Sequence, residues 1–111
     1  MTSPARTARI RALNDQFRTT LVGGTVVITA GIAALAPDTQ AAIIAAIKSF
    51  DAFDGDNDPW GEHDFGAVEV DDLQVYFKVD YFDLTRRCHS RDAADPTVTE
   101  RVMTIMLASE Y

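Results

Sequence analysis

The chain has little cysteine, little positive charge and no long apolar run. Cys88 is its single cysteine, so an internal disulfide and a four-cysteine zinc site are both excluded. With 17 acidic and 10 basic residues the formal net charge is -7, which argues against a DNA-binding module with a basic surface. The longest uncharged stretch, residues 19–37, is interrupted by glycines and threonines and is too polar for a bilayer helix.

These absences favour a small reduced protein away from membranes. No apolar run follows the arginines near the start, so we expect no secretory signal peptide, no membrane contact and a cytoplasmic location. The 111 residues are 47% hydrophobic, which predicts one domain spanning residues 1–111. A chain of this length buries roughly 65% of its unfolded surface, enough for a core without disulfides or metals.

The first half of the chain predicts two helices separated by a strand. Thr2 or Ser3 can cap a first helix, and apolar residues follow at helical spacing over residues 10–17. Residues 25–29 are all β-branched and predict a central strand. A proline at position 37 then opens a second helix, which is rich in alanine.

The second half predicts a hairpin and one ambiguous segment. Residues 67–70 and 73–82 form the hairpin, and the longer strand alternates apolar and polar side chains cleanly. Residues 101–108 fit either a helix or a strand, and we favour the strand because a hairpin needs further partners. The expected fold is α+β in the order α-β-α-β-β-β, with two helices on one face of a mainly antiparallel sheet of about four strands.

The negative charge is concentrated in the middle of the chain. Residues 1–50 carry a net charge of +3, residues 51–83 carry -10, and residues 84–111 carry 0. Like charges repel, so a cluster of this size needs a compensating reason. A solvated acidic surface that aids solubility is the alternative explanation.

Aspartates at alternate positions begin the most informative segment, residues 54–66. Asp54, Asp56 and Asp58 are spaced as at the start of an EF-hand calcium loop. That loop needs glycine at its sixth position and glutamate at its twelfth, where this chain has Pro59 and Phe65. The pattern therefore argues against an EF-hand.

The run Glu62-His63-Asp64 suggests a metal site or general acid–base chemistry. Neighbouring side chains diverge in an extended loop, so other ligands would have to join them. We prefer the simpler interpretation, in which His63 and Asp64 hydrogen-bond the loop backbone. The candidate ligands for a divalent metal are Asp56, Asp58, Glu62, His63, Asp64, Asp80 and Asp83.

Four segments together identify a family resemblance: residues 14–18, 57–66, 78–83 and 101–111. With them the chain resembles the bacterial domain-of-unknown-function family 3768 over nearly its whole length. Members often have tryptophan and tyrosine where this chain has Phe77 and Phe82. The resemblance implies a short bacterial protein of the kind carried by plasmids and other mobile elements, and it transfers no activity or catalytic residues.

Three functions are compatible with this pattern. The favoured one is a non-enzymatic binding protein without a cofactor, which inhibits a host protein by imitating nucleic acid on that protein's basic surface and does not itself bind nucleic acid. The alternatives are a metal-dependent enzyme or metal-binding regulator, and an acidic scaffold or dimerisation domain that forms homo-oligomers. The residues predicted to contact a partner are Asp54, Asp56, Asp58, Trp60, Glu62, Asp64, Phe65 and Tyr76.

Overall fold

The chain begins with a long helix whose cap was expected from the sequence. A computed structural model describes residues 3–111, so the capping role considered for Thr2 lies outside the described residues. Helix α1 spans Pro4–Thr20, and the Ser3 hydroxyl accepts a hydrogen bond from the Arg6 amide at 3.1 Å. The helix ends at Leu21, which adopts a left-handed conformation with φ 61°.

The remaining elements follow the expected order with two additions, a short helix after the first strand and a 3₁₀ helix at the C-terminus. Strand β1 spans Thr25–Ile28, a four-residue helix α2 spans Ala30–Ala33, and helix α3 spans Pro37–Lys48. Strands β2, β3 and β4 span Phe65–Val70, Leu73–Phe82 and Glu100–Leu107, and a 3₁₀ helix covers Ala108–Glu110. The ambiguous segment near the C-terminus is thus a strand, as predicted. The fold is α+β.

The four strands form one mixed sheet in the order β1-β4-β3-β2. Strand β3 pairs antiparallel with both β2 and β4, whereas β1 pairs with β4 in parallel. The prediction that residues 25–29 form a central strand is wrong, because β1 lies at the edge. Val27 and Ile28 remain 39% and 43% exposed there, although their β-branched side chains are typical of a covered strand.

The helices cover one face of this sheet and enclose the core. Every second residue of β3 is buried at Val75, Phe77 and Val79, which confirms the predicted alternation. Helix side chains such as Phe17 and Ile47 pack against them. No helix in residues 3–111 is long and apolar enough to cross a membrane.

Candidate functional site

The acidic loop, residues 51–64 between α3 and β2, is fastened at its start by a buried arginine. Arg18 of α1 is 4% exposed and donates through Nη1 to the carbonyls of Ile47 at 3.2 Å and Phe50 at 2.8 Å. Its Nη2 donates to Asp15 at 3.1 Å, and its guanidinium carbon lies 5.2 Å from the centre of the Phe53 ring. These contacts fix the chain where it leaves α3 and enters the loop.

The far end of the acidic loop is held by a buried asparagine. Asn14 is fully buried and donates through Nδ2 to the Glu62 carbonyl at 3.0 Å and the Tyr81 hydroxyl at 2.8 Å. Its Oδ1 accepts from Arg101 Nε at 2.8 Å. The Tyr81 hydroxyl in turn donates to the Glu62 carboxylate at 2.8 Å, and burial raises the pKa of Tyr81. The Glu62 carboxylate therefore serves this network.

His63 joins the acidic loop to helix α1. Its Nδ1 lies 2.8 Å from Asp15 Oδ1, and its ring stacks on Phe53 with centroids 3.8 Å apart. Its backbone has φ 56°, and its amide donates to Asp58 Oδ1 at 3.0 Å. Asp58 is only 8% exposed, so its carboxylate stabilises the turn and is not available at the surface.

The structure differs from the simpler interpretation of this run. The His63 ring pairs with the Asp15 side chain of α1 and not with the loop backbone, and the carboxylate that accepts the His63 amide is that of Asp58. Asp64 is half-buried, and burial raises its pKa, with a further rise from the negative charges of Glu62, Asp58 and Asp80.

Asp54 and Asp56 do lie at the surface, in the first turn of the acidic loop. Asp54 Oδ1 accepts from the amides of Asp56 at 2.9 Å and Asn57 at 3.0 Å, and its carbonyl accepts from the Asp58 amide at 2.9 Å. Both aspartates remain exposed. The turn thus fixes its own backbone while it presents two carboxylates to solvent.

Trp60 is the most exposed aromatic side chain of the acidic loop. It is the single tryptophan of the chain and is 76% exposed. Its neighbours are held in place, because Arg11 Nη1 donates to the Gly61 carbonyl at 2.9 Å and Asp58 is buried on the other side. A large apolar side chain is therefore displayed from a fixed backbone.

Phe65 and Tyr76 lie elsewhere, on the sheet face that the helices leave uncovered. Their ring centres are 5.2 Å apart, and both pack against Tyr111 at 5.9 and 5.6 Å. Tyr76 is half-buried in this aromatic cluster. The structure therefore does not bring these two residues together with the exposed carboxylates of the acidic loop.

The candidate metal ligands do not converge either. Asp80 pairs with Lys78 at 3.3 Å on the open sheet face. Asp83 caps the turn after β3 by accepting from the Thr85 amide at 3.1 Å and hydroxyl at 2.7 Å. Within the described part of the chain, no three histidine, cysteine or acidic residues are placed to hold a metal ion. The metal hypothesis stays a prediction without geometric support.

The sequence prediction missed the residues that anchor the acidic loop. Asn14, Asp15 and Arg18 all lie on α1, and Arg101 lies on β4. One signal was available: Asn14 and Arg18 are four residues apart and share a helix side with the apolar Ile10 and Phe17. Polar residues within a buried helix stripe require partners from elsewhere in the fold.

Comparison with known proteins gave one match. A family model described as "Protein of unknown function (DUF3768)" matches residues 28–110, about three quarters of the chain. The matched region contains the acidic loop, strands β2, β3 and β4 and only the last residue of β1, whereas α1 lies outside it. No curated protein and no solved structure matches the chain.

Proposed function

The chain belongs to the DUF3768 family, whose description states no function, and we propose that it is a small non-enzymatic binding protein. Its acidic loop engages a basic surface on another protein. One observation carries the proposal: Trp60 is 76% exposed on a loop whose backbone is fixed by hydrogen bonds to the buried side chains of Asn14 and Asp58.

Trp60 has the properties of an interface anchor. Tryptophan is enriched among the residues that dominate binding energy, since it buries a large area with little loss of conformational freedom. The anchors Asn14, Arg18 and Asp58 hold the acidic loop from inside, so binding would order few additional residues. An exposed tryptophan on a fixed loop therefore supports a contact surface.

Charge defines the class of partner. Asp51, Asp54 and Asp56 are exposed in the same loop as Trp60, within a segment of net charge -10. The proposed contact surface is accordingly narrower than the set predicted from sequence, because Asp58, Glu62 and Asp64 serve the interior of the loop. Association with a basic partner would be fast at low salt and weaker at high salt.

A nucleic-acid-binding surface is the basic surface that suits this arrangement. Such surfaces carry rows of arginine and lysine that neutralise phosphates, and exposed carboxylates can occupy the same side chains. The protein would then act as an inhibitor that competes with nucleic acid. Carriage on a mobile element, implied by the family resemblance, would fit an inhibitor of a host protein.

Two variants test the proposal by affinity capture from the native cell at low and high salt. D54N/D56N removes two charges but keeps the acceptor oxygen that Asp54 uses in its turn. W60A removes the anchor. We expect each variant to lose a protein that the wild type captures at low salt and releases on addition of DNA.

The matched control is E69Q/D72N, which also removes two charges from exposed positions but leaves the acidic loop intact. Asn tolerates the positive φ of Asp72, 64°, so the hairpin turn is preserved. This variant should capture the same protein as the wild type. Equal capture by all variants would refute the proposal and favour the scaffold alternative.

A further inference from the structure

A cleft of about 340 Å³ lies on the opposite side of α1 from the acidic loop. It is lined by Arg9, Leu13 and Gln16 of α1, by Val22 and Pro96, and by Arg101 of β4. Its volume falls within the range of small-molecule sites. Two guanidinium-bearing residues and three apolar side chains thus meet in one concave surface.

Arg101 is an unusual residue to find in such a wall. It is 2% exposed, yet it forms no salt bridge with any residue between positions 3 and 111. Its Nε donates to Asn14 and its Nη2 to the Ala93 carbonyl, and both acceptors are uncharged. Nη1 has no protein acceptor within the described residues. The negative charge of Glu62 stabilises this guanidinium only from beyond salt-bridge distance, so a bound anion would supply a direct counterion and offset part of the cost of burial.

Arg9 brings a second positive charge to the same cleft. It is exposed, and its side chain forms no hydrogen bond or salt bridge within residues 3–111. Burial is the main reason why the pKa of Arg101 lies below its usual value; Tyr81 and Glu62 raise this pKa, and the charge of Arg9 lowers it. Two neighbouring guanidinium groups that disfavour each other's charge would both be stabilised by an anion between them.

We propose that this cleft binds a small phosphate monoester. The phosphate would lie against Arg9 and Arg101, because a dianion matches two guanidinium groups in charge and in hydrogen-bond donors. The organic part would lie on Leu13, Val22 and Pro96. This site goes beyond the proposed function, since none of its residues belongs to the acidic loop.

Phenyl phosphate is a suitable probe, because it carries a phosphate on an apolar ring and has no other polar group. We would titrate it into the full chain and follow backbone amides by NMR, with affinity measured by calorimetry. The amides of Gln16 and of Gly23, which also lines the cleft, should shift. Phenol, which lacks the phosphate, should shift neither, and equal binding of phenol would overturn the proposal.

Substitution of Arg9 tests whether the phosphate binds beside this residue. R9Q should weaken phenyl phosphate binding about tenfold, since one charge-assisted contact is lost. R87Q is the matched control, because Arg87 is also exposed but does not line the cleft. It should leave the affinity unchanged. Equal weakening by R9Q and R87Q would show attraction by overall charge only and would refute the site.

A third variant is expected to increase the affinity for phenyl phosphate. The negative charge of Asp95 attracts the positive charge of Arg9. Asp95 would therefore repel an anion bound beside Arg9. D95N keeps an acceptor for the Thr97 amide and hydroxyl, which Asp95 now holds at 2.9 and 2.6 Å. It should bind phenyl phosphate more tightly. Weaker or unchanged binding would contradict a phosphate placed beside Arg9.

Discussion

At the scale of single residues, the candidate site depends on buried polar side chains that hydrogen-bond to several elements of the fold. Asn14 links α1, the acidic loop, β3 and β4 through Glu62, Tyr81 and Arg101. A buried hydrogen bond adds only modestly to the stability of the folded protein. Losing one partner costs more, because the remaining donor or acceptor is buried away from water. Removing Asn14 would take a hydrogen-bond partner from the Glu62 carbonyl, from Arg101 Nε and from the Tyr81 hydroxyl, which would keep only its bond to the Glu62 carboxylate.

We expect N14A to lower the free energy of unfolding by about 2–4 kcal/mol, because buried partners left unsatisfied cost about 1–3 kcal/mol each and relaxation recovers part of that. Urea denaturation followed by circular dichroism measures it. Q16A, an exposed substitution two residues along α1, should change stability by less than about 0.5 kcal/mol. A loss for N14A as small as that of Q16A would show that the network does not hold the acidic loop.

At the scale of elements, strand β2 is shaped by a contact that leaves no space for a side chain. Gly66 pairs with Phe77 across the β2–β3 ladder. A Cβ atom at Gly66 would lie 2.6 Å from Phe77 Cζ and 2.9 Å from Phe50 Cε2. The aromatic packing that joins α3 to the sheet therefore requires glycine at this position.

G66A should destabilise the protein by about 1–3 kcal/mol, as overpacking of a filled core does. The matched control is G55A in the acidic loop, where an added Cβ meets nothing within 4 Å. That substitution should be neutral or slightly stabilising, because it reduces the freedom of the unfolded chain. Thermal melting of the two variants gives the comparison, and equal melting temperatures would contradict the packing argument.

At the scale of the whole molecule, carboxylates tie distant parts of the chain together. The Glu110 carboxylate accepts from the Thr29 hydroxyl at 2.6 Å, the Gly31 amide at 3.0 Å and the Leu107 amide at 2.9 Å. The hydrogen bond from Thr29 is the main reason why the pKa of Glu110 lies below its usual value, 4.5. The C-terminal 3₁₀ helix is thereby joined to the start of α2.

This contact predicts a pH dependence of stability. A lowered pKa in the folded state means that the ionised form stabilises the protein above pH 4.5 and that this contribution is lost as the pH falls through the lowered value. Wild type should therefore melt at a higher temperature than E110Q at pH 7, and the difference should shrink as the pH falls below 4.5.

The control for net charge is E69Q, since Glu69 is exposed and, within residues 3–111, its carboxylate accepts a hydrogen bond only from Gln74, at 3.0 Å. It changes the charge of the molecule as E110Q does but breaks no link between distant segments. Its melting temperature should follow that of wild type across the same pH range. A difference between wild type and E110Q that does not vary with pH would refute the ionic contribution of Glu110.

Sequence alone determined the local structure of this protein. The alternation around Val75, Phe77 and Val79 specified a strand with one buried face, because successive side chains of a strand point to opposite sides. The position of the acidic segment also followed from the sequence, whereas the pattern at residues 101–108 fitted either a helix or a strand and only the hairpin's need for partners favoured the strand. These properties depend on neighbours along the chain, whose geometry the backbone fixes.

Tertiary structure alone decided which strand partners β1 took and which carboxylates reached solvent. Val27 and Ile28 have the same β-branched pattern at an edge as they would at the centre, so the pattern cannot specify the parallel pairing with β4. Asp54 and Asp58 look alike in sequence, yet only Asp58 is buried, beneath His63. Such outcomes depend on residues far apart in the chain, such as Asn14 and Arg101, whose packing no local periodicity encodes.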